Sequence, residues 1–259
     1  MSDSTHTEPG NFVWYELHTT NPSASPAFYQ HVVGWSSRPM QGGNGYILFE
    51  NEQGPVAGAS ALTERAKSMG APPHWLGNVQ VADVDATVSQ VKPLDGRVYV
   101  EPVTHPGGGR SAVIADPFGA VLGVFAPVQP MKVRDASKPG GVCWHELMSE
   151  NPELSLAFYG KLFGWKKRSE FDMGTMGKYL LFGNEERDFG GMFAKAKDEH
   201  ASAWNYYLQV SDIDAAITQV KEKGGTLCKG PMDIVSGARI AHISDPQDAG
   251  FSLHENPKA

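Results

Sequence analysis

Cysteine is scarce in this chain of 259 residues: Cys143 and Cys228 are the only two, and both lie in the second half. The first half has nothing to pair with, so a disulfide framework is excluded, and both thiols read as buried. No stretch approaches the ~20 consecutive apolar residues of a membrane-crossing helix. Residues 1–11 are polar, without the apolar segment of a secretion signal. These absences predict a cytoplasmic protein with no membrane partner. The longest basic run is Lys166-Lys167-Arg168 and the net charge is −7, which leaves no electrostatic footprint for nucleic acid. Gly-x-Ser-x-Gly, paired Cys-x-x-Cys and Walker patterns are all missing, which removes serine hydrolase, zinc-ribbon and nucleoside-triphosphatase readings. A small-molecule ligand is the partner class left, with monomer and homodimer both open.

What the chain does have is a duplication. Asn21-Pro22-Ser23-Ala24-Ser25-Pro26-Ala27-Phe28-Tyr29-Gln30-His31-Val32-Val33-Gly34-Trp35 lines up without a gap on residues 151–165, and eight of the fifteen positions match. Upstream, Trp14-Tyr15-Glu16-Leu17 answers Trp144-His145-Glu146-Leu147. Downstream, Val81-Ala82-Asp83-Val84-Asp85-Ala86 answers Val210-Ser211-Asp212-Ile213-Asp214-Ala215, and Asp116-Pro117 and Asp245-Pro246 close each copy. A period near 130 residues is too long for a solenoid repeat and fits a duplicated domain. A hydrophobic content of 41% supports one modest core per copy. The expected domains are 11–127 and 140–256, joined by a linker at 128–139 that is polar and proline-containing and lacks apolar periodicity.

Within a copy the pattern predicts two similar units, each a strand, a helix and further strands. Phe12 to Thr19 alternates as a strand. Asn21-Pro22 then offers a cap and a favoured first helical residue, Phe28, Tyr29, Val32 and Val33 share one helical face, and Gly34 ends the helix. Pro26 fits only in a first turn, so this helix is expected to begin later than its twin at Pro152. The second units open on strands at Trp75–Val81 and Tyr206–Val210, followed by helices near Asp83–Lys92 and Asp212–Lys223. Gly42-Gly43-Asn44-Gly45 and His105 to Arg110 read as hairpin turns rather than phosphate loops, because neither joins a strand to a helix.

This order of elements, with Ala-Phe-Tyr…Gly-Trp helices and late Asp-Pro turns, resembles the vicinal oxygen chelate superfamily of glyoxalases, bleomycin-resistance proteins and extradiol dioxygenases. The tandem arrangement is similar to that of actinobacterial two-domain glyoxalase-like proteins. The resemblance implies an α+β fold: two tandem glyoxalase-like domains, four βαβββ units forming curled mixed sheets around clefts. Catalytic relatives hold a divalent metal through His and Glu side chains. Family spacing puts those ligand positions on Trp14, Leu76 and Gly123 in copy one, and on Trp144, Asn205 and Ser252 in copy two. None is a strong donor, so no metal and no cofactor is expected. His145 lies one residue from a ligand position and should point to the opposite, helix-facing side.

The remaining candidates share strand faces. Trp14, Glu16 and His18 lie on one face of the first strand; Trp144, Glu146 and Met148 match them in copy two. Each glutamate pairs with the repeated Arg110 or Arg239, contacts a ligand, or meets solvent. Copy two places His242, Ser252, His254 and Tyr206 where copy one has Val113, Gly123, Phe125 and Gly77, so its cleft should be the more polar. Candidate chemistry therefore rests on Glu16, His18, Glu146, His242 and His254, and candidate ligand walls are Trp14, Trp75, Trp144, Trp204, Tyr206 and Ser252. The expectation is a metal-free small-molecule binder of sequestering or resistance type. The alternative is a metal-dependent or acid–base lyase, isomerase or dioxygenase-type enzyme. A third is an interaction protein with vestigial clefts.

Overall fold

The computed structural model describes residues 6–43, 45–196 and 201–257. Copy one runs β1 (Phe12–Thr19), α1 (Ser25–Val33), β2 (Ser36–Pro39), β3 (Ile47–Asn51), β4 (Gly54–Ala61), α2 (Glu64–Ser68), β5 (His74–Gln80), α3 (Val84–Val91), β6 (Arg97–His105), β7 (Gly109–Ala115) and β8 (Val121–Pro127). Copy two runs β9 (Val142–Ser149), α4 (Pro152–Phe163), β10 (Lys166–Asp172), β11 (Lys178–Gly183), β12 (Asp188–Ala194), β13 (Ala203–Val210), α5 (Ile213–Glu222), β14 (Thr226–Asp233), β15 (Arg239–Ser244) and β16 (Gly250–Glu255).

Local chemistry explains the repeated residues. Asn151 Oδ1 accepts from the Leu154 amide and caps α4, with Pro152 at its first position and left-handed Gly164 at its end. Asn21 makes no such bond in copy one: a short turn at residues 22–24 precedes α1, which starts at Ser25 so that Pro26 falls in its first turn. Asp83 and Asp212 cap α3 and α5. Asp116 Oδ1 accepts from the amides of Phe118 and Ala120, and Asp245 Oδ1 from those of Gln247 and Ala249, which is why both copies keep Asp-Pro before the last strand. The edge strands β2 and β10 are exposed along their whole length, so no apolar alternation announced them. His105 to Arg110 turns the β6–β7 hairpin as expected. The other glycine-rich loop joins β2 to β3, and its Asn44 lies outside the described residues.

The strands form two eight-stranded mixed sheets of identical order, β2-β3-β4-β1-β5-β8-β7-β6 and β10-β11-β12-β9-β13-β16-β15-β14. The chain also divides into two compact units. One contains residues 1–14, 77–133 and 144–204; its aromatic core gathers Tyr159, Trp165, Phe182 and Trp204 around α4. The other contains residues 15–76, 134–143 and 205–259; its core gathers Tyr29, Trp35, Phe49, Trp75 and Phe251 around α1. In each unit the long helix, α1 through Tyr29 or α4 through Tyr159, packs on the buried side of the strands, and the opposite face, free of these helices, carries the side chains that are only partly covered.

Candidate functional site

Strand alternation sets that face. Along β1, Val13, Tyr15, Leu17 and Thr19 are buried, whereas Trp14, Glu16 and His18 are half-buried. Along β9 the same alternation buries His145 and Leu147 and leaves Trp144, Glu146 and Met148 on the other side. His145 stacks on Phe12 at 3.8 Å, its Nδ1 lies 2.7 Å from the Phe189 carbonyl, and burial pulls its pKa down to about 3. It is a neutral core residue on the helix-facing side, as its strand parity demands.

Both glutamates are held by a tyrosine. Tyr46 Oη donates to Glu16 Oε1 at 3.0 Å, and Tyr179 Oη donates to Glu146 Oε1 at 2.7 Å. Trp144 Nε1 donates in turn to Tyr179 Oη at 2.9 Å, giving an indole–phenol–carboxylate chain. Each ring crosses a glycine on the neighbouring strand. Glu16 sits beside Gly58, where a Cβ would lie 2.1 Å from Tyr46 Oη, and Glu146 beside Gly191, where it would lie 2.0 Å from the Tyr179 ring. Burial, then the Glu146 charge, pushes the Tyr179 phenol well up, so it remains a donor. The expected glutamate–arginine pairs are not formed. Arg110 makes a fork with Asp85, and Arg239 bonds Asp214 and Glu255, tying strand to helix in each copy.

Beside Glu16 the copies diverge. His18 Nδ1 lies 3.0 Å from Ser60 Oγ, its Nε2 is 3.7 Å from Glu16 Oε2, and its ring faces His74 at 5.2 Å between centroids. Burial, then the neighbouring His74, lowers its pKa to about 4. Copy two has Met148 and Phe193 at the matching places, an apolar patch.

A second polar group lies on β13, β15 and β16. Tyr207 pairs with Ser252, Gln209 with His254 and His242 with Ser252 across the strands, so these side chains share one face. Asn205 Nδ2 donates to Ser252 Oγ at 2.7 Å, His242 Nδ1 is 2.8 Å from the same oxygen, and His254 Nδ1 is 2.8 Å from Gln209 Oε1. Burial lowers both histidines; for His242 the charge of Lys229 adds to it.

Three proposed wall residues turn out to face the other way. Trp75 and Trp204 lie in the helix-side cores and donate to Tyr29 and Tyr159 at 3.0 and 3.1 Å. Tyr206 is buried against Tyr15. The aromatic residue on the helix-free face is its neighbour Tyr207, because a shift of one residue along a strand exchanges the faces. Cys143 is largely buried, which pushes its thiol up to about 12, but Cys228 is exposed on β14, contrary to expectation. Tyr46 and Tyr179 were not anticipated. Their signal is the repeat of Tyr46-Ile47-Leu48-Phe49 as Tyr179-Leu180-Leu181-Phe182, each followed at the same distance by Gly58 or Gly191.

With this geometry in hand, the sequence model of the Glyoxalase/Bleomycin resistance protein/Dioxygenase superfamily matches residues 11–124 and 143–253. The chain belongs to that superfamily. "Putative glyoxylase CFP32" of Mycobacterium bovis is 31% identical over 242 residues, covering 93% of this chain and 92% of its own. "Anthracycline biosynthesis protein DnrV" of Streptomyces peucetius is 28% identical and covers 95% of this chain and 94% of its own. Among solved structures, the Mn(II)-bound glyoxalase from Novosphingobium aromaticivorans superposes with a TM-score of 0.67 at 17% identity, over 96% of this chain and 83% of its own. The 2,3-dioxygenase LapB from Pseudomonas sp. KL28 gives 0.63 at 11%, over 98% and 93%. At these identities the structures establish a shared fold.

Membership in the superfamily raises a metal centre as a question for the donors themselves. Among the described residues no three His, Cys, Asp or Glu side chains come together as a metal-binding set. In copy two, Asn205 and Ser252 occupy two of the three positions that the family spacing assigns to ligands, and they are hydrogen-bonded directly to each other. In copy one a Cβ at Gly123 would lie 2.0 Å from Asn78 Oδ1, so an amide side chain fills the space a longer residue there would need. The donor set does not fit a divalent ion at these positions. Among the described residues no helix is long and apolar enough to cross a membrane.

Proposed function

We propose that this glyoxalase-superfamily protein is a cytoplasmic small-molecule binder, taking a partly apolar molecule on the helix-free faces of its sheets without a resident divalent metal at the family's usual positions. The observation that carries this reading is the Asn205–Ser252 hydrogen bond of 2.7 Å. A serine hydroxyl and an amide that satisfy one another are neutral, weak donors, and converging imidazoles and carboxylates are what a protein needs to retain such an ion. The half-buried Trp14 and Trp144 supply flat apolar surface beside Glu16 and Glu146, and aromatic walls with a few placed polar groups are the usual make-up of such sites. The names of the two relatives point to different chemistries, a glyoxylase and an anthracycline biosynthesis protein.

Elemental analysis of the purified chain, dialysed without chelator, tests the reading. The expected result is far less than one equivalent of zinc, iron, nickel or manganese per chain and a melting temperature that EDTA does not move. About one equivalent, removed by EDTA together with stability or activity, would replace this reading with a metal-dependent enzyme.

A further inference from the structure

The face of β13, β16 and β15 carries two histidines whose hydrogen positions follow from their partners. Ser252 Oγ lies between Asn205 Nδ2 at 2.7 Å and His242 Nδ1 at 2.8 Å. The amide N–H can only donate, so the serine oxygen accepts from Asn205; Ser252 is fully buried and has no further side-chain partner among the described residues, so its own hydrogen goes to His242 Nδ1. An Nδ1 that accepts leaves the single proton of a neutral imidazole on Nε2. His254 is the reverse. Its Nδ1 faces Gln209 Oε1 at 2.8 Å, and an amide oxygen can only accept. The Gln209 amide is oriented by its Nε2, which donates to the Val210 carbonyl at 3.1 Å; turned over, it would set two oxygens against each other. His254 therefore carries its proton on Nδ1 and keeps a bare lone pair on Nε2. Neither Nε2 has a hydrogen-bond partner among the described residues.

Both rings stand half-buried on the side of the sheet away from α5, while Ala241, Ile243, Phe251 and Leu253 take the buried side. One ring thus offers an N–H and the other a lone pair, on adjacent strands and one face. Copy one has nothing comparable, since Val113, Gly123 and Phe125 stand at the matching positions.

We propose that this face recognises an uncharged ligand bearing a hydrogen-bond acceptor and a hydroxyl, the acceptor bound by His242 Nε2–H and the hydroxyl donating to His254 Nε2. The assignment deepens the small-molecule reading above and rests on it. A carboxylate or phosphate is disfavoured at His254 because the bare nitrogen presents electron density to the anion. Burial makes that nitrogen a weak base, so it holds the hydroxyl without removing its proton. Across the strands, Lys229 pairs with His242 from the edge strand β14. A ligand bound as an anion would be using that ammonium instead.

Two measurements on the full chain test this. In the protein labelled with ¹⁵N-histidine, long-range ¹H–¹⁵N spectra near pH 7.5 are expected to show His242 as the Nε2–H tautomer and His254 as the Nδ1–H tautomer, assigned through His242→Val and His254→Phe. The opposite tautomer at either ring overturns the proposal; for His242 it would mean the Asn205 amide is turned. In the second, 4-nitrophenol serves as the probe, because it carries a hydroxyl and an acceptor and its ionised form absorbs visible light. It is expected to bind as the neutral phenol with its ionisation shifted to higher pH. His254→Phe and His242→Val, which install the residues of copy one, should each weaken binding by about two- to ten-fold, and the mirror change Phe125→His should leave it unaltered. No binding, binding as the phenolate, or equal affinity for His254→Phe would overturn the ligand assignment. Metal content on the same samples separates the two levels. A stoichiometric metal with both tautomers as stated sinks the metal-free reading, whereas a metal-free chain with reversed tautomers sinks only the ligand assignment.

Discussion

Tyr179 donates to Glu146 at 2.7 Å, and Tyr46 repeats the relationship with Glu16 at 3.0 Å. The relationship is the same in both copies, so the phenol is the local means by which each holds a half-buried carboxylate. A hydrogen bond to a charged group contributes about 1.5–3 kcal/mol. Tyr179→Phe is therefore expected to lower unfolding free energy in urea by about that amount, and Tyr46→Phe by somewhat less. The pairwise nature of the effect is read from a double-mutant cycle with Glu146→Gln. Strictly additive losses would show that the two side chains do not support one another.

The glycines beneath the rings are the second test. A methyl group at Gly191 would lie 2.0 Å from the Tyr179 ring, and one at Gly58 would lie 2.1 Å from Tyr46 Oη. The ring must leave, and its bond to glutamate goes with it. Gly191→Ala is expected to cost about 1–3 kcal/mol, the usual range for overpacking. The cost should largely disappear in the background of Tyr179→Ala. A Gly191→Ala protein as stable as the parent would mean that the ring is not seated on β12.

Trp75 and Trp204 should behave as core residues. Their indoles donate to the buried Tyr29 and Tyr159 phenols, and Tyr29 passes its own hydrogen to Asp245 at 3.0 Å. Trp204→Phe and Trp75→Phe remove a donor and leave a void, for an expected loss of about 1–3 kcal/mol each. Binding of 4-nitrophenol by the folded fraction should be unchanged. A large change in affinity at constant melting temperature would return these tryptophans to the ligand face.

Acid stability follows from the buried histidines. His145 and His18 are pulled from 6.5 to about 3 and about 4 by burial, so the folded state holds them neutral. Because the folded values lie below the unfolded one, their contribution is present above pH 6.5 and is lost as the pH falls toward 4 and then 3. Asp116 and Asp245 oppose this in part. Burial raises both, so the folded state binds their protons more tightly, and stability from them declines as pH rises from 3.8 through the folded values. The expected net result is a urea midpoint that drops between pH 7 and pH 4. His145→Phe should flatten the slope, even if it lowers stability at pH 7 by removing the bond to the Phe189 carbonyl. An unchanged slope in that variant would assign acid sensitivity to other groups.

Much of the scaffold could be read along the chain because its causes are local. Asn151, Pro152 and Gly164 bound α4 by satisfying or interrupting backbone groups within a few residues, and the lateness of α1 follows from the ring of Pro26. His145 pointed away from the ligand side because side chains alternate along any strand. The same rule rules out Tyr206 as a wall: Tyr207 and Gln209 share a face with Ser252 and His254, and Tyr206 points to the other. The edge strands β2 and β10 escaped notice because an exposed strand needs no apolar alternation.

The sequence by itself determined that the protein is a duplicated glyoxalase-type chain and where its longer helices begin and end. These are statements about composition, repetition and neighbours within a few residues. Tertiary structure alone decided that Glu16 and Glu146 answer to tyrosines rather than to Arg110 and Arg239, that Asn205 closes on Ser252, and that His242 meets Ser252 while His254 meets Gln209. Each of these pairings spans about 10 to 47 residues and depends on the register of one strand against another, which the period-two pattern of a single strand does not contain.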